Sequence, residues 1–505
     1  MRSFMFVTLI LVLMMGIVMA GGIVTNTNQS AAYMRTLNRN ASTDIDAVYF
    51  NPAGLTKLED GLHLSLSNQS IWQTKTVNND YANLANNEFV GDVAAPIFPN
   101  LYLAYKTGNL VISAGFEPIG GGGSANYDEG LPSFEKDISD LVPAFLTSGV
   151  EKYALSASFE GSSIYYGGQL GLSYKINDLI SVGVGARYVM AANTYLGSIM
   201  DIGLYNIALG TWSSPKPYMD GAAATMTGTA ATLQPIIDAQ AGGFTLAELQ
   251  GAGYLTAAQV QQLTGGLTLI GVADPSVLTA AEVQGAFSQA AQVYTAKGVL
   301  LDKGIEVDAK QGGSGISPVL SLYLTPSENL GIALRYEMIT KLEIENDTEV
   351  DDSGLFTDGA KTNADMPAMF AMGVSFKPME KLRAELDLNY YFNTGVDWDG
   401  REDNVDNGYE VGLAVEYCLN EKMTASVGFS NGNGGATDEY QTDLSYSLKS
   451  NTIGLGVAYK VSDNMTVNVG GLNTFYQDGE RVATTYTEKY AKTTYGFAFG
   501  IDYKF

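Results

Sequence analysis

The chain has 505 residues, with 28 Lys and Arg against 54 Asp and Glu, a net charge of −26, and one histidine and one cysteine. Such an acidic excess argues against nucleic acid as a partner. The lone cysteine, Cys418, excludes an internal disulfide, and with the lone histidine, His63, it leaves no His-based metal cluster and removes most hydrolase chemistry, so neither enzyme activity nor a metal or cofactor is expected.

The N-terminus reads as a secretory signal peptide over 1–20: Arg2 supplies the positive start, Phe4 to Val18 the apolar core and Val18-Met19-Ala20 the small-residue cleavage site. The core is short of the ~20 residues that a spanning helix needs. Residues 21–60 are rich in small polar side chains and follow no strand pattern. Such a segment either hangs free in the periplasm or folds into a lumen as a plug. The apolar block Val48-Tyr49-Phe50, followed by Asn51-Pro52-Ala53-Gly54-Leu55, favours the plug, because Pro52 and Gly54 set a rigid turn that buried aromatics would hold.

From 61 to 505 the pattern is period two. Six short polar turns, at 106–110, 175–179, 325–330, 377–382, 418–423 and 460–465, each join two strand-like runs. Between these hairpins lie seven longer acidic or Gly-rich stretches, at 73–97, 119–162, 197–314, 343–365, 394–407, 431–444 and 477–491. Thirteen connections make fourteen strands, with short turns on one side and long loops on the other. This predicts an all-β fold, a transmembrane antiparallel β-barrel in an outer membrane, with both barrel ends on the periplasmic side. A closed barrel also supplies stability that a disulfide-free secreted chain needs.

The alternation assigns the faces. Ile180, Val182, Val184, Ala186 and Tyr188 face lipid while Ser181, Gly183, Gly185 and Arg187 face the lumen. Leu330 to Met338, Leu382 to Tyr390 and Tyr409 to Tyr417 read the same way, placing Arg335, Glu337, Arg383, Glu385, Asp387, Asn389, Glu410 and Glu416 inside. A lipid-facing Arg at mid-membrane would cost ~2–4 kcal/mol, so the register is strongly specified. The last strand alternates to the final residue, with Tyr495, Phe497, Phe499, Ile501, Tyr503 and Phe505 on one face.

Two loops stand out. Within 197–303 one pattern occurs three times, with Thr three residues before Glu or Gln (Thr245/Glu248, Thr256/Gln259, Thr279/Glu282). Each is a capping box, so each predicts the start of a short helix in a small extracellular insertion. Its role is read equally well as a cap over an entrance, a protein-binding element or a tolerated insertion. The stretch 397–408 is rich in oxygen ligands but lacks the spacing of a Ca²⁺ loop, and reads as a solvated acidic loop.

The run Ala41 to Leu55 with Asn51-Pro52-Ala53-Gly54, the stretch Gly115-Phe116-Glu117-Pro118-Ile119-Gly120-Gly121-Gly122-Gly123 at the end of the third strand, and the fourteen-strand count together resemble the long-chain fatty acid outer-membrane transporters of the FadL type. The resemblance is close over about 35 N-terminal residues and architectural elsewhere; the insertion has no counterpart in it. It implies a Gram-negative outer-membrane location and a hatch over 21–60 that includes Asn51, Pro52, Ala53 and Gly54. It further implies capture of a hydrophobic small molecule by the loops, a shift of the hatch, and lateral release into membrane lipid at a kink in the third strand, driven by the gradient. Phe116, Pro118, Gly120, Gly121, Gly122 and Gly123 are the lateral-gate candidates. Pro118 has no N–H for a ladder and the glycines tolerate unusual angles, so a gap is expected beside the fourth strand; the alternative is an ordinary strand end entering a glycine-rich loop.

Arg187 and Arg335 are candidates for holding a carboxylate head group, or else they pair with Glu337, Glu385, Asp387, Asp44 or Asp46. The resemblance points to a fatty acid as ligand and leaves aromatic hydrocarbons open; a general polar porin and a structural or adhesive surface barrel are the competing readings. Phe505 is expected to address the barrel-assembly machinery.

Overall fold

The computed structural model describes residues 22–505. The signal-peptide reading of 1–20 lies outside the described residues. The barrel strands, first to fourteenth, are Gly61–Asn79, Glu88–Thr107, Leu110–Tyr127, Val150–Lys175, Ile180–Asn206, Ile305–Ser327, Leu330–Glu337 continued by Glu343–Asp351, Lys361–Asn363 continued by Met369–Met379, Leu382–Tyr391, Gly408–Asn420, Met423–Asn433, Ser450–Ser462, Met465–Tyr476 and Thr487–Lys504. Each pairs antiparallel with its neighbours in sequence, and the fourteenth pairs with the first from His63↔Lys504 to Asn79↔Glu488, closing the sheet. All six predicted short turns join adjacent strands.

The side chains divide as the alternation predicts. Arg187, Arg335, Glu385 and Glu416 are buried in the lumen. Val184, Leu386, Leu413, Phe497 and Phe499 are exposed on the outer face, where Trp72 stacks on Tyr495 with centroids 5.5 Å apart. None of the described helices is long and apolar enough to cross a membrane; the apolar belt belongs to the strands.

The strands run further out than the predicted loops allow. The stretch read as a loop at 73–97 is mostly ladder, because the first strand continues to Asn79 and the second starts at Glu88. The third continues to Tyr127, the fourth starts at Val150, and the fifth reaches Asn206. Spanning takes ~9–11 residues, so the 26-residue fourth and 27-residue fifth strands project well beyond the membrane. Outside lipid both faces of a strand are wet, the apolar alternation is no longer required, and the sequence looks like a loop.

The insertion is helical. Thr245, Thr256 and Thr279 each cap a helix with the full reciprocal box, at Leu246–Gly251, Ala257–Leu269 and Ala280–Lys303. The third is a long helix of 24 residues. A further helix, Lys216–Thr232, lies alongside it and carries no capping box, which is why the sequence pattern did not reveal it. Leu249, Leu263, Leu267, Val283 and Phe287 form a small core of their own.

If the outer face is the lipid face, Leu413→Arg, mid-strand and 52% exposed, should destabilise the barrel in liposomes by about 2–4 kcal/mol. Leu269→Arg, 86% exposed on an insertion helix, should change stability by less than about 0.5 kcal/mol. Denaturant titration of the two variants side by side measures the contrast.

Candidate functional site

Residues 22–60 lie inside the barrel as a plug. Helix Ala31–Thr36 starts at Ser30, whose side chain accepts from Tyr33 N; helix Ala47–Phe50 leads into a turn of 3-10 helix at Pro52–Lys57. Tyr33, Val48, Tyr49, Phe50 and Leu55 pack with the wall residues Tyr102, Val111, Ile119, Tyr165 and Val189. The four predicted hatch residues touch the wall or the plug itself. Asn51 Nδ2 donates to Leu322 O and Leu334 O, each 3.2 Å away. Pro52 O accepts from Ser173 Oγ (2.7 Å) and Ala53 N donates to Ser321 Oγ (3.0 Å). A Cβ on Gly54 would sit 2.2 Å from Ser42 O, so only glycine fits.

The wall is shaped to receive this backbone. A Cβ at Gly428 would lie 1.8 Å from Thr36 O, and one at Gly373 would lie 2.5 Å from Ala41 N. Polar wall groups take up the hatch donors: Glu385 accepts from Ala41 N (2.7 Å) and Asp387 from Asn40 N (2.8 Å). Arg35 pairs with Glu416 at 2.5 Å and donates to Ser426 and Asn468. Asp44 and Asp46 are engaged by Arg39 of the hatch itself.

Arg187 and Arg335, the head-group candidates, are buried against the hatch and do not line the cavity described below. Arg187 pairs with Glu337 at 2.5 Å and more loosely with Glu117 at 3.5 Å. Arg335 donates to Tyr49 O at 2.6 Å and lies 3.8 Å from Glu337. Both guanidiniums sit over the Tyr49 ring, 4.7 and 4.8 Å from its centroid, a cation–π sandwich. Their charge is spent on Glu337 and on the hatch.

The third strand loses its alternation at the predicted kink, where Glu117, Pro118, Ile119 and Gly120 are all buried. The expected gap beside the fourth strand is absent. That ladder continues through two bulges, at Pro118/Gly120 and Gly121/Gly123, with Gly121 and Gly123 at φ +86° and +85°. The left-handed glycines absorb the extra residues and keep the pairing. The gap lies on the other edge: pairing with the second strand stops at Ala94↔Ser124 and resumes at Leu101↔Phe116. Facing the kink there is Ala95-Pro-Ile-Phe-Pro99, where the ladder to the first strand also shifts register. Pro96 and Pro99 lack ladder donors; they are the signal in the sequence for this edge, one at the end of the stretch 73–97 read as loop and one just past it.

The hatch covers the open edge. Asn26 N donates to Ile119 O (2.9 Å), Gly121 N donates to Val24 O (2.8 Å), and Thr25 bridges Gly120. Gln29 Nε2 donates to Pro118 O at 2.7 Å, while Tyr102 and Asn100 of the second strand bond to Gln29 from the far side. Phe116 lies outside the gap, exposed and stacked on Tyr166 with centroids 5.8 Å apart. Gly121, Gly122 and Gly123 line a cavity of about 540 Å³ above the hatch. Hatch residues Gly22 to Asn28 form part of its wall, together with apolar side chains such as Val93, Phe134, Phe159, Leu444 and Leu472. Lys75, inside the stretch 73–97 read as loop, and Lys492, just past the one at 477–491, also line it.

A closed fourteen-strand barrel, plugged from its own N-terminal side and breached on one edge where the plug sits, defines the class of protein. No family model matches the chain, and no curated protein matches it. Solved structures do. A Pseudomonas aeruginosa FadL homologue aligns at TM-score 0.60 with 11% identity, over 96% of this chain and 100% of its own. The P. putida toluene transporter TodX aligns at TM-score 0.53 with 12% identity, over 91% of this chain and 94% of its own. The chain thus has the FadL-type fold, plug included.

Gly428→Val should push the hatch off the wall at Thr36. Ion conductance through the protein in planar bilayers should rise severalfold and residues 22–60 should become protease-sensitive, with the barrel still folded. Gly168→Val, where an added Cβ meets nothing within 4 Å, should leave both readings at the wild-type level.

Proposed function

We propose that this protein is a passive outer-membrane conduit for hydrophobic small molecules, with long-chain fatty acids as the first ligand class and aromatic hydrocarbons as the alternative. The observation that carries this reading is the breach between Ala94 and Leu101 of the second strand and Phe116 and Ser124 of the third. It is covered from inside by hatch residues that also line the cavity. The segment around Val24 to Gln29 lies between that cavity and the breach. Displacing that segment opens a sideways path that avoids the charged pairs around the rest of the hatch. The polar floor, with its paired arginines and carboxylates, disfavours passage of an apolar molecule straight through. A FadL homologue and a toluene transporter among proteins of the same fold support the class of cargo.

A reversible lock tests it. In a Cys418→Ser background, Thr25→Cys and Gly120→Cys face each other across a bridge; a Cβ on Gly120 lies 2.9 Å from Val24 O, so the reduced pair is itself the reference. Cells carrying the reduced pair should take up labelled oleate and set the baseline. Oxidation should lower uptake at least tenfold and reductant should restore it. Equal uptake by oxidised and reduced protein would exclude release past the hatch.

A further inference from the structure

Glu117 is fully buried at the kink of the third strand, and neither of its carboxylate oxygens has a hydrogen-bond partner. Arg187 Nε lies 3.5 Å from Oε1, an ion pair without a hydrogen bond. Around Oε2 the packing is tight and mostly hydrocarbon. A Cβ built on Gly115 would lie 3.0 Å from Oε2 and from Val48 Cγ1, and 3.1 Å from Tyr102 Cδ1. Other lumen acids beside the hatch are satisfied differently: Glu385, Asp387 and Glu416 each accept a hydrogen bond from it. A buried carboxylate with no donor is costly, so Glu117 needs an explanation.

The hatch is what keeps Arg187 from bonding to it. Arg187 donates from Nη1 to Glu337 Oε1 (2.5 Å), and from Nε and Nη2 to Gln169 Oε1 (3.1 and 2.7 Å). Gln169 is in turn fixed by the hatch, donating from Nε2 to Val48 O at 2.5 Å, and the Tyr49 ring holds the guanidinium. Arg335 is held the same way, by Tyr49 O and the same ring, 3.8 Å from Glu337 Oε2. That oxygen also lacks a hydrogen-bond partner. Two arginines are thus committed to Val48 and Tyr49 while acceptors on Glu117 and Glu337 stand empty. The wall sets the stem of Arg187 beside Glu117. A Cβ on Gly167 would meet Arg187 Cδ at 2.8 Å, and Gly167 is the ladder partner of Glu117. Tyr49 also reaches the gate segment: its hydroxyl donates to Asn26 O (3.4 Å), and Asn26 N donates to Ile119 O, two residues past Glu117.

We propose that Glu117 is the reserve partner of Arg187: when Val48 and Tyr49 withdraw, Arg187 turns from Gln169 and Glu337 onto Glu117, and Arg335 closes onto Glu337. The assignment rests on the conduit reading above and adds to it what stabilises the displaced state of the hatch. Removing one partner from a buried charge is strongly unfavourable. Withdrawal of Tyr49 alone would leave two guanidiniums sharing Glu337, whereas the exchange gives each arginine its own carboxylate. The empty acceptors meanwhile raise the free energy of the closed state, which keeps the two states close enough for a bound molecule to shift between them. Glu117 does not line the cavity. It is a positioning residue that acts on the hatch through Arg187.

The test compares wild type, Glu117→Gln, Tyr49→Ala and the double variant as full-length protein in nanodiscs, with the heat-dependent gel shift confirming that each barrel is folded. Hydrogen exchange of the hatch amides, read by mass spectrometry, reports how often the hatch opens. Loss of the charge-assisted pair formed only in the open state predicts exchange slowed roughly tenfold or more in Glu117→Gln. Denaturant titration gives the second reading. Glu117→Gln should leave stability unchanged or raised while Tyr49 is present, and lower it in the Tyr49→Ala background, where Arg187 already rests on Glu117. A carboxylate that merely supports the closed structure would cost the same in both backgrounds and its loss would speed hatch exchange; either result overturns the proposal. Uptake of labelled oleate by cells is read in parallel. Slower exchange in Glu117→Gln with no uptake by wild type supports the partner exchange and sinks the conduit reading. Uptake by wild type with exchange unslowed in Glu117→Gln sinks the partner exchange alone.

Discussion

In a bilayer no water is available to satisfy an unpaired backbone N–H or C=O, and each such group costs several kcal/mol. Everything else in this molecule follows from that demand. It closes fourteen strands into a ring through the first and last, and it makes any interruption of the ladder costly. The interruption between the second and third strands is tolerable because the chain supplies a substitute partner from inside: Val24 and Asn26 bond to the kinked edge where a wall strand would otherwise sit. The breach and the plug are one device. Each would leave unsatisfied backbone without the other.

The same logic explains how the plug is held. A segment rich in Asn, Ser, Thr and Arg buried in a lumen must find a partner for nearly every polar group. The wall provides carboxylates, amides and hydroxyls at matching heights, from Ser173 and Ser321 around Pro52 and Ala53 to Glu385, Asp387 and Glu416 around Asn40, Ala41 and Arg35. Glycines such as Gly373 and Gly428 let the two backbones approach within a distance that any side chain would forbid. Hydrogen bonds of this kind are worth little each in net stability, but leaving one unmade is costly. The hatch is therefore specified in position, and its movement has to exchange partners in a concerted way or be confined to the N-terminal stretch that covers the gap.

Charge in the lumen is sorted by depth. Around the hatch, cations and carboxylates neutralise one another. In the cavity above it, Lys75 and Lys492 face each other, each ammonium over a tyrosine ring. A buried network made of matched pairs is structural.

Strand number, barrel closure, the division of side chains between lipid and lumen, and the three capping boxes of the insertion were all legible in the residues, because each is a local rule. The membrane forces alternation on every spanning strand, and Thr245, Thr256 and Thr279 each carry their own helix start. Outside the membrane that constraint lapses, so the outer ends of the first five strands looked like loops, and Lys75 with them. What only the tertiary structure decided concerns pairs of residues far apart in the chain. The breach opens toward the second strand because Gly121 and Gly123 repair the other edge with bulges while Pro96 and Pro99 cannot repair theirs. Arg187 and Arg335 serve the hatch because closure brings Tyr49 and Glu337 between them. Lys75 and Lys492, 417 positions apart by their numbering, became neighbours only when the last strand met the first. Period-two patterning fixes which face a residue takes; the ring's closure and register determine what it meets there.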